Sequence, residues 1–414
     1  MNCSSVPAGP ERRELYPGTI LMLLTNAYDP DPRPRQEALA LIRMGCRIRL
    51  LAWDRDLKAP PQECLEGVEV ERVFLRSKHG RGATQIFFYA WLYAKMFWRA
   101  WQIRFDVVHC HDLDTLPIGF LLGVLKRRPV VYDAHESFTD MLAGSVPTPV
   151  RHVLARIEDM LIRRCNLLIT VGEKLRTHFE DRGAMHAVVV GNWKRLDEFS
   201  RTEEQNLAVR RRLGIPEGSL IIVCITQFLS DRKIEELIGA VELEPDTYVI
   251  LGGKGVLESK ISTWAARNRR LIPVGFVRGD EIAAYTCASD VVYYGFDPAN
   301  PNARFSAPNK LYEALAAGKP LITGDFGEIA KVVRDADCGI VLPEYSVRAI
   351  QDAITALRDL DRRHTMASNA RHYGEAMANW AKGEEILYRE YSRLLPPILS
   401  RRSRQENQQA MSRA

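Results

Sequence analysis

The sequence predicts an α/β protein built from two doubly wound parallel sheets, and three observations lead there. At 414 residues the chain is too long for one ordinary core and suits two domains of roughly 150 to 200 residues each. Short apolar runs alternate with amphipathic segments of helix length from beginning to end, the pattern of parallel strands covered on both faces. The runs fall into two sets, separated by the polar stretch Asp197 to Asn206.

TILMLLT, RIRLLAW, DVVHC, PVVYDA and NLLITV are the strand candidates of the first set, and LIIVCIT, TYVILGG, LIPVGF, DVVYYG and PLITGD those of the second. The expected domains are 17–198 and 199–378, with DEFSRTEEQN as the linker. A last regular segment, 379–396, places Trp380, Ile386, Leu387, Tyr391 and Leu394 at helical spacing. Residues 397–414 are polar, basic and aperiodic, as in a flexible tail.

The formal charge of +5 is modest for this length, which argues against a nucleic-acid binder. Eight scattered cysteines, with no CxxC pair and no Cys/His cluster at zinc spacing, suggest reduced thiols in a cytoplasmic chain without a structural metal. The N-terminus lacks the apolar core of a signal peptide, and no run of about 18 apolar residues marks a membrane span.

The segment FSAPNKLYEALAAGKPLIT, from Phe305 to Thr323, reads as a helix feeding into a buried strand. Ser306 can serve as N-cap, Pro308 fits the first turn, and Gly318 with Pro320 ends the helix. The free N–H groups and dipole near Ser306, Asn309 and Lys310 suit a phosphate, and Glu313 suits the hydroxyls of a ribose. Loops after strands add further candidates, since such loops form the crevice of open α/β sheets. Gly252 and Gly253 follow TYVIL and allow close backbone approach, although GGKG alone is a common turn. Arg232 and Lys233 precede a helix whose dipole opposes cations unless an anion is bound. His135 and Glu136 end VVYDA, and His111, Asp112 and Asp114 follow DVVHC, where they could bind acceptor hydroxyls or orient His135, although the two aspartates could equally cap a helix near Leu116. Arg33 and Arg35 follow the first strand and suit an acidic group or the solvent.

The run PNKLYEALAAGKPLIT, with SAP before and GEIAKVV after it, resembles the donor-binding segment of family 4 glycosyltransferases, retaining enzymes of the GT-B fold with two Rossmann-like domains facing a cleft. TILMLLTNAYDPDPRPRQEALALIRMGCRIRLLAWDRD, FDVVHCHDLDTLPIGFLLG, RPVVYDAHESF, ILGGKG and VGFVRGDEIAAYTCASDVVYYGF resemble other passages of that family in the same order. The resemblance implies transfer of a sugar from a UDP- or GDP-sugar to a glycan or lipid-linked acceptor, in polysaccharide or cell-envelope synthesis, without a cofactor or essential metal. It implies that Arg232 and Lys310 neutralise the diphosphate, that His135 faces the sugar, that Phe276 and Val277 lie beside the nucleobase, and that the terminal helix crosses back to the first domain. Arg33, Arg35, His111, Asp112, Asp114 and Glu136 fall on the acceptor side. Phe305 stands where the family often has a glutamate, eight residues before the position of Glu313, and branches with an SPNKLFEY-like segment share that change. A nucleotide-sugar 2-epimerase on the same fold, or a non-catalytic nucleotide-binding subunit, is the alternative.

IFFYAWLYAKMFWRAWQIRF, residues 86–105, is aromatic and carries Lys95, Arg99 and Arg104. It suits either an anionic membrane surface on the cytoplasmic side or a helix buried under the first sheet.

Overall fold

The structure, a computed structural model, describes residues 18–28, 31–76, 84–142 and 146–395. Residue 17 and the expected tail at 397–414 lie outside the described residues.

Eight strands form the first sheet: β1 (Thr19–Leu24), β2 (Arg47–Asp54), β3 (Gln62–Leu65), β4 (Val68–Phe74), β5 (Val107–His111), β6 (Val130–Ala134), β7 (Leu167–Thr170) and β8 (Ala187–Val189). Their order is β3-β4-β2-β1-β5-β6-β7-β8, and only β3 runs antiparallel to its neighbour. Six parallel strands form the second: β9 (Leu220–Ile225), β10 (Thr247–Gly252), β11 (Leu271–Gly275), β12 (Val291–Tyr294), β13 (Leu321–Gly324) and β14 (Gly339–Leu342), in the order β11-β10-β9-β12-β13-β14. Every residue of β5, β6 and β9 is buried, as strands covered by helices on both faces must be. Two doubly wound sheets of this kind are the GT-B architecture. β3, β4, β8 and β14 are short or only part-buried and lack the continuous apolar run that marked the others.

The stretch expected as a linker is only partly irregular. A helix starts at Glu203, because the Thr202 hydroxyl accepts from Gln205 N while the Gln205 side chain accepts from Thr202 N. That T-x-x-Q capping box was legible in the sequence. The last helix, Trp380–Leu394, is capped by Asn379 and buries Trp380, Leu387 and Tyr391 in a core shared with β1, β2, β5 and the helix Pro32–Arg43. It therefore packs on the first sheet although the second lies between them in sequence. Where the chain crosses back, Trp380 N donates to Lys194 O (3.0 Å), so the two connections between the sheets are bonded to each other.

Cys46, Cys110, Cys165, Cys224, Cys287 and Cys338 are buried and outside any disulfide, but Cys64 is disulfide-bonded, contrary to the expectation of reduced thiols throughout. The scattered cysteine spacing carried no pairing signal.

The aromatic helix Thr84–Gln102 is not buried all round. Leu92, Met96 and Ala100 face the core, whereas Trp91, Trp98 and Trp101 are 59%, 63% and 40% exposed. The helices Leu116–Lys126 and Thr148–Ile162 continue the layer and expose Leu121, Val124, Leu125, Val150, Val153 and Ile157. Lys95 donates to Phe74 O (3.2 Å) and Arg99 pairs with Glu71, so both cations are partly engaged. Among the described residues, no helix is long and apolar enough to cross a membrane.

Candidate active site

In the first sheet the winding reverses between β1 and β5, and in the second between β9 and β12. Ligands of open α/β sheets bind outside the carboxyl ends of strands at such points. A cleft of about 270 Å3 lies there, lined by His135, Glu136 and Asn192 from the first sheet's loops and by Arg232, Tyr294, Phe305 and Ser306 to Lys310 from the second's.

On the second sheet's side, the helix expected to be capped by Ser306 is capped two residues later, by Pro308, and begins at Asn309 with no side-chain cap. Ser306 instead ends the short turn Pro301–Phe305. The first-turn N–H groups at Asn309 and Lys310 thus stay available to an anion. Gly318 closes the helix as expected, in the left-handed region at φ 62°. Lys310 pairs with Glu313 one turn on. Lys194 donates to Asn309 Oδ1 (2.6 Å) and lies 3.9 Å from Glu313 Oε1. Burial holds the Lys194 ammonium below its usual value against the pull of Glu313. Glu313 was expected to meet ribose hydroxyls directly. It is only 2% exposed and lies beneath these two lysines, because i,i+3 spacing brings Lys310 onto it.

Arg232 lines the cleft: Nη1 donates to Tyr294 Oη (3.1 Å), the guanidinium sits 4.3 Å from the Phe296 ring centre, and the buried Nε, without a hydrogen bond, lies 3.6 Å from Asp231 Oδ1. Lys233 does not line the cleft; its Nζ bonds Asp297 (3.0 Å). The glycines act through close packing. A Cβ on Gly253, at φ 149°, would lie 1.9 Å from Thr226 O, and one on Gly252 would lie 2.6 Å from the buried Val277 side chain. Val277 is core, which removes its side chain from base contact, while Phe276 is 57% exposed with Lys254 Nζ 5.7 Å from its ring centre.

On the first sheet's side, Asp133 is the hub. Its carboxylate is fully buried and accepts from Arg33 Nε (3.0 Å) and Nη2 (2.6 Å), and it faces His111 Nδ1 (3.1 Å) and His135 Nε2 (2.7 Å). Burial opposes the charge, yet Arg33 and His135 hold this carboxyl well below the usual range. Arg33 was expected to meet an acceptor. It is buried instead, also donating to Val190 O (2.8 Å) and lying 3.1 Å from Glu37. Arg35 is exposed and paired with Glu66 (2.5 and 2.7 Å) outside the cleft lining. His111 is buried, which removes it from acceptor contact. Asp114 accepts from Thr25 Oγ1 (2.5 Å), and burial beside Asp112 pushes its carboxyl up to about 7. Glu136 accepts from Asn302 across the cleft (2.7 Å). His135, expected to present a nitrogen to the sugar, has both nitrogens on carboxylates, Nε2 on Asp133 and Nδ1 3.2 Å from Asp112.

Glu37, His109, His111 and Asp133 bring metal-binding residue types together below the cleft. We assign no metal ligand there, because Arg33 supplies the countercharge and the Asp133 oxygens are already taken by its guanidinium and the two imidazoles.

Sequence reasoning missed Asp133, Lys194, Asn192 and Asn302. Asp133 could have been found, since it lies two residues before His135 at a strand end and so shares its face. Lys194 and Asn302 gave no signal, as their partners lie 115 and 166 residues away.

Residues 205–373 match the model of the glycosyl transferases group 1, and residues 35–193 that of glycosyltransferase family 4. The chain is 25% identical over 304 residues to a D-inositol 3-phosphate glycosyltransferase of Corynebacterium aurimucosum, covering 69% of this chain and 71% of the relative. It is 24% identical over 309 residues to an alpha-monoglucosyldiacylglycerol synthase of Acholeplasma laidlawii, covering 69% and 76%. The fold superposes on the Anabaena protein Alr3699/HepE, solved in complex with UDP-glucose, with a TM-score of 0.71 at 18% identity over 91% of this chain and 100% of that one. With matches to both halves, the relatives and the two facing sheets in agreement, the chain belongs to the group 1, family 4 glycosyltransferases of GT-B fold.

Proposed function

We propose that the protein is a retaining glycosyltransferase that moves a sugar from a UDP- or GDP-sugar to a glycan or glycolipid acceptor in polysaccharide or envelope synthesis. The observation that carries this reading is the meeting of Arg232, Lys310 and an uncapped helix start in one cleft at the switch points of both sheets. Breaking the bond between the anomeric carbon and the diphosphate leaves negative charge on the leaving group, and fixed cations and N–H groups stabilise it. The acceptor hydroxyl attacks from the face the diphosphate vacates, and its proton passes to a departing phosphate oxygen. The complex of Alr3699/HepE with UDP-glucose supports a nucleotide-sugar donor, and the exposed Phe276 is available to a base.

The relative named for a glucosyldiacylglycerol product supports a lipid acceptor. The exposed Trp91, Trp98 and Trp101 with their apolar neighbours support an anionic membrane surface as the place where it is presented. Release of nucleoside diphosphate from a panel of UDP- and GDP-sugars, with and without diacylglycerol and polyprenyl-linked acceptors, tests the proposal. Release should depend on acceptor and persist in chelator. Acceptor-independent conversion of the donor would favour a 2-epimerase, and nucleotide binding without turnover on any acceptor would favour a binding subunit.

A further inference from the structure

His135 carries an unusual constraint. An ionised carboxylate only accepts hydrogen bonds, and here one such group faces each ring nitrogen: Asp133 Oδ2 at 2.7 Å from Nε2 and Asp112 Oδ2 at 3.2 Å from Nδ1. Nε2 is hydrogen-bonded to its carboxylate and Nδ1 is in ion-pair contact with the other, so the two negative groups together favour a ring with a proton on each nitrogen. The arrangement is built at a cost in backbone conformation. Asp112 sits at φ 61°, in the left-handed region that non-glycine residues seldom occupy. That conformation turns the chain at the end of β5 so that Asp112 Oδ1 accepts from His135 N (3.2 Å) while its other oxygen faces the ring. Asp112 N in turn donates to Asp133 O (2.9 Å), so the two carboxylates are tied to one frame. Arg33 anchors Asp133 from below.

We propose that Asp112 and Asp133 clamp His135 as a permanent imidazolium, so that in the transfer reaction it acts as a fixed cation at the first-sheet wall of the cleft and never as a base. The inference rests on the cleft being the transfer site, but its first test needs no turnover. The charge completes a set: His135 faces the cleft from one sheet as Arg232 and Lys310 do from the other. An imidazolium has no lone pair with which to take the acceptor proton, which leaves that proton to the departing phosphate. The other titratable and charged groups around the ring are Glu136 beside it, His109 and His111 from β5, Asp114 from the loop after β5, and Arg33 and Glu37 from the helix Pro32–Arg43. Burial opposes the charge on His135, but Asp112 and Asp133 outweigh it and raise the imidazole well above its usual value.

The test is a long-range proton–nitrogen correlation spectrum of the full chain labelled at histidine nitrogens, with His135 assigned from the resonance lost in His135→Gln. At about pH 8, where an ordinary imidazole is neutral, both His135 nitrogens should remain in the protonated range. Asp112→Asn keeps the shape of this partly exposed side chain and leaves Arg33 paired, so it should fold. It should lower the His135 titration midpoint by at least about one pH unit. The alkaline limb of kcat should move down in step, with little change in donor KM. A neutral His135 tautomer at about pH 8 in the wild type, or an unchanged midpoint in Asp112→Asn, overturns the proposal whether or not transfer is observed.

Discussion

Replacing Arg232 by alanine separates a catalytic cation from a structural one. In the folded protein Arg232 makes one hydrogen bond to Tyr294 Oη at 3.1 Å and stacks 4.3 Å from the Phe296 ring centre. A charge-assisted hydrogen bond contributes about 1.5 kcal/mol or somewhat more, and a partly exposed cation–π contact about 0.5–1 kcal/mol. Alanine should therefore cost about 2 kcal/mol of stability, or a fall of a few degrees in Tm for a chain of this size. Loss of one preorganised group facing charge that grows in the transition state costs about 100- to 1000-fold in kcat. The change in turnover should thus exceed what any loss of folded protein explains. Arg232→Lys keeps the charge but loses the fork and the stacking, so it should recover only part of the rate. The assay is kcat at saturating donor alongside Tm on the same samples. Turnover of Arg232→Ala within about threefold of wild type would refute the assignment of Arg232 to the leaving group.

Three further outcomes follow from the same geometry. Glu313→Gln keeps the helix but loosens the hold on Lys310 and Lys194, and should weaken binding of the cognate nucleoside diphosphate by about tenfold, or 1.4 kcal/mol, by calorimetry; unchanged affinity would remove Glu313 from the donor site. Burial and the nearby Asp133 push the Glu37 carboxyl from 4.5 up to about 7 against the pull of Arg33, so the folded state holds its proton more tightly than the unfolded chain. Its contribution is present at low pH and lost as pH rises from 4.5 through about 7; Tm in Glu37→Gln should fall less over that window than in wild type, and parallel curves would contradict this. Anionic liposomes should co-sediment the wild-type protein, and serine at Trp91, Trp98 and Trp101 should abolish most of that binding while Tm holds, because these rings are exposed; wild type that stays in the supernatant would reject the membrane face.

The sequence by itself determined the two parallel sheets, because strands buried on both faces must be written as continuous apolar runs such as LIIVCI of β9. It determined the stop of the donor-side helix at Gly318, and its start to within two residues, since caps and breakers act within a few residues of where they are written. It also put Arg232 in the loop between β9 and the next helix, and so at the crevice. Tertiary structure alone decided which charges are free. Arg33 and Arg232 look alike in sequence, yet Arg33 is held by an aspartate 100 residues away while Arg232 has only its neighbour Asp231 near Nε, at 3.6 Å, and keeps its guanidinium on the cleft wall. The same holds for His135, whose ring is fixed by carboxylates from two strand ends, and for the aromatic helix, whose 3.6-residue period marks a buried stripe but not what covers the rest. Periodicity and capping are local and propagate along the chain. The partner of a buried charge is chosen by which strands lie side by side, and that is settled only when the sheet is assembled.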